Sequence, residues 1–421
     1  MDGISNDLLV TLLNLSDIEI ESFSIDTKGS LIIKVNSTKD GAICHRCGCD
    51  INKPHGLGQE VTLRHLPIFG REVYLILKPR RYKCSNCNGR VTTTQQLSWY
   101  TRKSKSTINY DEHILLSLIN STIKDISIKE NFGYDAIKSI LDRQIHYEFE
   151  WASISSLSII GIDEISIKKG HKDYVTIVSA YIDGNLRLIG VLKNRKKDTV
   201  KKFFLKIPKG LRNTVEVVCS DLYKGFINPA KEVFGKEVQV VADRFHVAKL
   251  YRSGLDNLRK KEMRRLKSEL LKKDYDKLKN VMWLLRKEFT SLSISQHNTL
   301  NLLFTYSPDL RVSYDLSNDL SKIFNSPISK VSAKRKIKGW MTRVKNRKLK
   351  CFNTFLKTLN TYMEEIINYF DGRNSSGFVE GLNNKIKVLK RRCYGLTNKR
   401  HLFQRIKLDL EGYSLLSFNI N

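Results

Sequence analysis

Proline is scarce in this chain, with seven in 421 residues. No Pro-rich linker therefore marks a domain boundary. Long apolar runs are missing too: none approaches the ~20 residues that span a bilayer, so no membrane partner is expected. The opening MDGISNDLLVTLLNL is acidic ahead of a short apolar stretch, where a secretory signal would be basic. No export signal is expected, and the corresponding location is cytoplasmic. Acidic residues are also in short supply. Against 73 Lys and Arg stand 43 Asp and Glu, a formal net charge of +30. Such an excess fits a polyanionic partner, held through phosphate neutralisation and counterion release. Nucleic acid is that expected partner. Hydrophobic residues reach 41%, which excludes wholesale disorder. The length suggests roughly two to four domains.

The texture changes along the chain. Residues 1–40 hold two strand-like runs, IEIESFSID and SLIIKVN. From 156, short β-branched runs (SLSIIGID, YVTIVSAYID, LRLIGVL, TVEVVCSD, VQVVAD) are followed or separated by helical stretches such as KKDTVKKFFLKIP and YKGFINPAKEVF. That alternation indicates an α/β sheet. From about 247 to 370 the chain reads as basic helices, and from 374 as a helix followed by a basic tail.

Five of the eight cysteines fall between Cys44 and Cys87. Cys44-His-Arg-Cys47 and Cys84-Ser-Asn-Cys87 are paired knuckles, and the two-residue gap lets both sulfurs of each face one ion. Four thiolates suit a structural, tetrahedral Zn²⁺ with no open site. Cys49, His45, His55 and His65 leave the exact ligand set open. Strand-like EVTLRHL and REVYLILKPRRY lie between the knuckles, and the ribbon would present KPRRYK, with Arg80 and Arg81, to DNA phosphates.

INYDEHILLSLINS, STIKDISIKENFG and YDAIKSILDRQI read as three short helices. Ser121 or Thr122 is the expected cap and Gly133 the break, with Ile126, Ile137 and Leu141 facing the core. This pattern suits a helix-turn-helix that reads DNA.

Asp163 ends the run IIGID and Asp221 ends VEVVCSD. A carboxylate just past a buried strand is fixed by the strand while its tip stays accessible. Glu164 reads as a bystander. The third acid is Glu380, in a helix expected to start near Ser375 or Ser376, with Gly377 and Gly381 leaving room around it. Converging carboxylates repel one another unless hard cations sit between them, and Mg²⁺ or Mn²⁺ fits such oxygen ligands. Asp243, which ends VQVVAD, is a rival ligand or a neighbour of the ligands, and His246 follows it on a helix. Lys385, Lys387, Lys390, Arg391 and Arg392 continue from the Glu380 helix and would set cations on phosphates beside the metals.

Together GIDEISIKKGHKDYVTIVS, SDLYKGF, VVADRFHVAKL and SSGFVEGLNNKIKVLKRRCYG resemble the ISL3 family of bacterial insertion-sequence transposases, along nearly the whole chain. Two details depart from the family pattern. Ala180 and Tyr181 stand where another acid is usual, and LTNKRHLF follows Gly395 in place of an aromatic-containing run.

The resemblance implies a multi-domain α/β protein with an RNase H-like catalytic domain interrupted by a helical insertion. Its parts would be a zinc-ribbon domain (1–95), a helix-turn-helix (96–152), the first catalytic segment (153–246), the insertion (247–370), and the glutamate helix with its tail (371–421). The implied catalytic and metal-binding triad is Asp163, Asp221 and Glu380. The implied activity is DDE-type cleavage and joining at the terminal inverted repeats of a mobile element, with transposon ends and target DNA as partners. A homodimer or larger assembly on DNA, in the bacterial nucleoid, goes with it. A DNA-binding regulator with an idle core, and a nuclease acting on RNA–DNA hybrids, are the competing functions; metal-dependent nicking and strand joining separate them.

Overall fold

The structure is a computed structural model that describes residues 6–89, 91–166, 174–374, 377–394 and 396–416, without the side chains of 378 and 380. The expected helix caps Ser375 and Ser376, and Gly395, lie outside the described residues. The chain divides into two compact units, residues 1–146 with 407–421, and residues 147–406. No helix among the described residues is long and apolar enough to cross a membrane.

In the first unit, α1 (Asn6–Leu13) precedes β1 (Ile18–Ile25) and β2 (Leu31–Ser37). Then come β3 (Ala42–Ile43), β4 (Asp50–Ile51), β5 (Lys53–Leu57), β6 (Val61–Ile68), β7 (Arg71–Leu77), β8 (Arg80–Lys83) and β9 (Thr92–Thr94). One sheet has the order β1-β2-β7-β6, and smaller sheets β3-β4 and β5-β8-β9 carry the cysteines at their ends. Alternate residues of β2 and β7 (Ile33, Val35, Val73, Leu75, Leu77) are buried against α1, the period-2 pattern of a sheet with one face covered.

Helices α2 (Ile108–Leu118), α3 (Ile123–Lys129) and α4 (Tyr134–Gln144) follow. Thr122 caps α3, its hydroxyl accepting from the Asp125 N–H. Gly133 precedes α4. Ile126, Ile137 and Leu141 are buried in one cluster with Ile114 and Leu115.

In the second unit, β10 (Ile159–Ser166), β11 (Tyr174–Ile182) and β12 (Asn185–Leu192) form an antiparallel meander. Helices α5 (Lys197–Lys206) and α6 (Lys209–Arg212) lead to β13 (Val217–Ser220). Helix α7 (Lys224–Phe234) then leads to β14 (Gln239–Ala242). Both of these strands run parallel to β10, giving the order β12-β11-β10-β13-β14. Both faces of the sheet are covered, which explains its near-continuous apolar strands. Val218 and Val240 pack with α5 and α7, whereas Val217, Cys219 and Val241 pack with the helices that follow.

The helices that follow are α8 (Arg244–Glu269), α9 (Lys272–Asp276), α10 (Val281–Leu284), α11 (Ile294–Tyr306), α12 (Pro308–Asn325), α13 (Lys330–Asn346), α14 (Asn353–Thr361) and α15 (Met363–Ile367), of which α9, α10 and α11 pack in a separate cluster with α8 and α12. Trp340, Phe352 and Phe355 anchor the core that lies on the sheet. Helix α16 (Gly377–Arg392) then packs against β10, burying the stripe Val379, Leu382, Ile386 and Leu389.

Two expectations need correction. The basic tail is instead helix α17 (Lys399–Leu416), mostly buried, with Leu402, Phe403 and Ile406 on one face and Leu408 on another, packed in the cluster of Ile114 and Ile119. Residues 407–416 also belong with the first unit rather than with the glutamate helix. Asp163, too, does not end its strand. Beyond Ile162 the pairing with β13 stops, but β10 continues to Ser166 along β11.

Candidate active site and zinc cluster

Strand register places three carboxylates in one row. Ile162 pairs with Ser220, and Ser220 with Ala242. The next residues on those three strands are Asp163, Asp221 and Asp243, where the parallel ladder runs out. The Asp243 N–H donates to the Ser220 carbonyl at 2.9 Å, which holds the second and third positions together. Asp243 then caps α8, its carboxylate accepting from the Phe245 N–H at 2.6 Å. The first turn of α8 carries His246, whose Nδ1 meets the Asp221 carboxylate. Donor atoms of Asp221, Asp243 and His246 all lie within 4.8 Å of one another.

Asp163 sits beside this group. Burial, then the Asp221 charge, push its carboxyl up to about 6, although the Glu164 N–H donates to it at 2.7 Å. The hydrogen bond to Asp221 raises His246. Asn383 of α16 donates its side-chain N–H to the other Asp163 oxygen, so this helix docks on β10. Glu380 lies one turn earlier on α16; its side chain is outside the described residues. A Cβ on the neighbouring Gly381 would meet open space. Glu164 points elsewhere and is paired with Arg195 at 3.0 Å. The donor set is carboxylate-rich and already strained by its own charge, which suits a hard divalent cation.

Two residues here escaped the sequence reading or were underrated by it. Asn383 follows Glu380 by three residues, a spacing that puts both on one helix face and could have flagged it. His246 stands three residues after Asp243 in the same geometry.

The second cluster is made of sulfur. Donor atoms of Cys44, Cys47, Cys84 and Cys87 lie within 4.8 Å of one another, with Sγ–Sγ distances of 3.9 Å (Cys44–Cys87) and 3.7 Å (Cys47–Cys84). A tetrahedral zinc with ~2.3 Å bonds requires an edge of about 3.8 Å. Backbone N–H groups of Cys47 and Arg46 lower the Cys44 thiol to about 6, favouring the thiolate that binds metal. His65 is buried elsewhere, between Thr107 Oγ1 (2.9 Å) and the Leu13 carbonyl (3.1 Å), and His45 turns its Nδ1 to Thr93.

The basic candidates divide. Lys385, Lys387 and Arg391 are exposed on α16, and Arg392 is half-buried. Lys390 gives its ammonium to the Ser166 carbonyl and so helps to dock α16. Arg80 pairs with Asp40 at 2.9 Å, and Arg81 donates to Thr92 at 2.7 Å, so both are engaged within the ribbon.

Comparison with known proteins identifies the family. A family model described as "Transposase", of the ISL3 DDE type, matches residues 160–406. A second, described as "zinc-finger of transposase IS204/IS1001/IS1096/IS1165", matches residues 40–87. The transposase for insertion sequence element IS1001 of Bordetella parapertussis is 25% identical over 393 residues, covering 92% of this chain and 93% of that protein. With the carboxylate row, the Cys cluster and a family match over more than half its residues, the chain belongs to the ISL3 family of DDE transposases.

Proposed function

We propose that the protein binds the terminal inverted repeats of a mobile element and catalyses divalent-metal-dependent DNA cleavage and strand transfer. The observation that carries this reading is the carboxylate row at the end of the β10-β13-β14 ladder with α16 docked over it. The strand order and the helices covering both faces support an RNase H-like core with a helical insertion after β14. Asp163, Asp221 and Glu380 are the metal ligands of this proposal. Divalent ions of the Mg²⁺ or Mn²⁺ kind, when bound, activate a water or a DNA 3′-hydroxyl and stabilise the leaving oxygen of an in-line displacement. His246 acts through Asp221, holding its carboxylate in position, and Asp243 caps the helix that carries His246. Asn383 holds the Asp163 carboxylate in position. The three short helices α2 to α4 serve as a helix-turn-helix for the element's ends, and the Cys cluster holds structural Zn²⁺. Lys385, Lys387 and Arg391 meet phosphates beside the site.

The test is a cleavage and strand-transfer assay on DNA carrying the element's own ends, with Mg²⁺ or Mn²⁺. Asp163→Ala, Asp221→Ala and Glu380→Ala are expected to lose roughly 10³-fold or more of the activity while retaining DNA binding, because each removes several kcal/mol of transition-state charge stabilisation. Asp243→Ala is expected to keep measurable activity. A wild-type protein that binds the ends but cuts them with neither metal would overturn the proposal in favour of a regulator.

A further inference from the structure

Helix α13 has a composition the catalytic reading does not use. It carries seven Lys and Arg and no acidic residue in KVSAKRKIKGWMTRVKN. One face is buried by Ala333, Ile337, Trp340, Met341 and Val344, which fixes the helix on the core. The opposite face exposes Arg335, Lys338, Gly339, Thr342 and Lys345. Some of the cations have partners in the fold: Lys330 and Lys334 pair with Glu364, and Arg343 with Asp319. Among the described residues, Arg335, Lys336, Lys338 and Lys345 enter no ion pair.

Gly339 stands in the middle of this face. Glycine is among the least favourable residues for a helix interior, and close packing against a neighbouring segment usually justifies it. Here a Cβ would meet nothing within 4 Å. Gly254 in α8 is the contrast, since a Cβ there would come within 2.5 Å of the Cys351 carbonyl. The fold therefore explains Gly254 but not Gly339. At three and four residues' distance on the helix surface, Gly339 is ringed by Arg335, Lys336, Thr342 and Arg343. A bare patch of backbone ringed by guanidinium, ammonium and hydroxyl groups fits a phosphodiester backbone lying close against the helix.

We propose that the outer face of α13 is a duplex-DNA backbone site, with Gly339 as its floor and Arg335 and Lys338 as its phosphate ligands. The proposal rests on the transposition reading above and adds a second contact surface, on the helical segment rather than at the acids. It involves no base-edge readout, so it contributes affinity without sequence preference.

The test measures binding of the full-length protein to a 30-base-pair duplex of arbitrary sequence, across a range of salt concentrations. The double variant Arg335→Ala with Lys338→Ala removes two phosphate contacts. It is expected to flatten the slope of log K against log salt by about 1.8, because each B-DNA contact contributes about 0.9. The double variant Lys330→Ala with Lys334→Ala, whose cations are spent on Glu364, is expected to change the slope little. Gly339→Glu is expected to weaken binding, and Gly339→Ala to leave thermal stability undiminished while weakening binding. An unchanged slope in the Arg335/Lys338 variant overturns the proposal. Cleavage of the element's ends by wild type in the same preparation distinguishes the failures. Intact cleavage with an unchanged slope refutes the α13 site alone, whereas absence of any DNA binding by wild type refutes both readings.

Discussion

The sulfur cluster and the carboxylate row are two sites for cations built in opposite ways. Cys44, Cys47, Cys84 and Cys87 come from two short loops of the ribbon segment. Four donors at tetrahedral spacing close that site on itself, so its product is a fold. Asp163, Asp221, Asp243 and His246 come from three strands and one helix, with α16 arriving after the whole helical segment. Those donors are left crowded on one side of an open strand end, where the charge of Asp221 raises the carboxyl of Asp163. The lesson is that a metal site's role can be read from how its donors' charge is balanced: satisfied in the ribbon, unresolved at the acids.

Removing the metal from the ribbon should have the largest effect. Structural zinc contributes on the order of 10 kcal/mol or more in small zinc domains. Chelation, or Cys84→Ala, is expected to unfold the β3-β4 and β5-β8-β9 region while the sheet of the second unit persists. Hydrogen exchange resolved by segment checks this. Equal loss of protection in both units would break the contrast.

A smaller effect concerns acid. Burial pushes His65 down to about 4. The folded first unit therefore holds it neutral between the Thr107 hydroxyl and the Leu13 carbonyl. Its folded value lies below its unfolded one, so the unfolded chain takes up the proton first as pH falls. Stability is intact above about 6.5 and declines toward about 4, by on the order of 3 kcal/mol in total. Thermal melts of the first unit's signal between pH 7 and pH 4 measure it, and His65→Gln should flatten the curve.

The acid site should respond in the reverse sense, and least. Asp163 is raised to about 6 from an ordinary value of 3.8. The folded, metal-free protein binds the proton more tightly than the unfolded chain. Stability therefore falls as pH rises from about 4 to about 6, by on the order of 3 kcal/mol and slightly less than for His65, whose shift is larger. Asp163→Asn should remove that fall, and added Mg²⁺ should offset it in wild type. A melting temperature that is flat in that window, with and without Mg²⁺, would show that the carboxylates do not repel as described.

The same contrast explains what the sequence disclosed. The Cys-x-x-Cys pairs encode their site in local spacing, and the structure gathers the four thiols. The β-branched runs ending in Asp163, Asp221 and Asp243 disclosed the strands, because burial on both faces leaves a continuous apolar signature. What local pattern could not give is register: that Ile162, Ser220 and Ala242 stand side by side is a long-range fact, and it alone brings Asp243 level with the other two. The weight of His246 and Asn383 follows from register as well. Helix α17 looks like a tail in the sequence because Arg405, Lys407, Asp409 and Glu411 interrupt its apolar residues, whereas all four are buried in the structure. Arg80, Arg81 and Lys390 looked free for DNA because a sequence does not display the Asp40, Thr92 or Ser166 partners that engage them.

The central claim is that Asp163, Asp221 and Glu380 hold the divalent ions at which DNA is cut. A ligand-exchange experiment addresses it most directly. Each acid is replaced in turn (Asp163→Cys, Asp221→Cys, Glu380→Cys) and cleavage of the element's ends is measured in Mg²⁺ and in Mn²⁺. Thiolate is a poor partner for Mg²⁺ and a better one for a transition-metal ion. The expected result is inactivity in Mg²⁺ with partial recovery in Mn²⁺ at all three positions. Activity in Mg²⁺ equal to that of wild type at any one of them would contradict the account, because that residue would then not be a metal ligand.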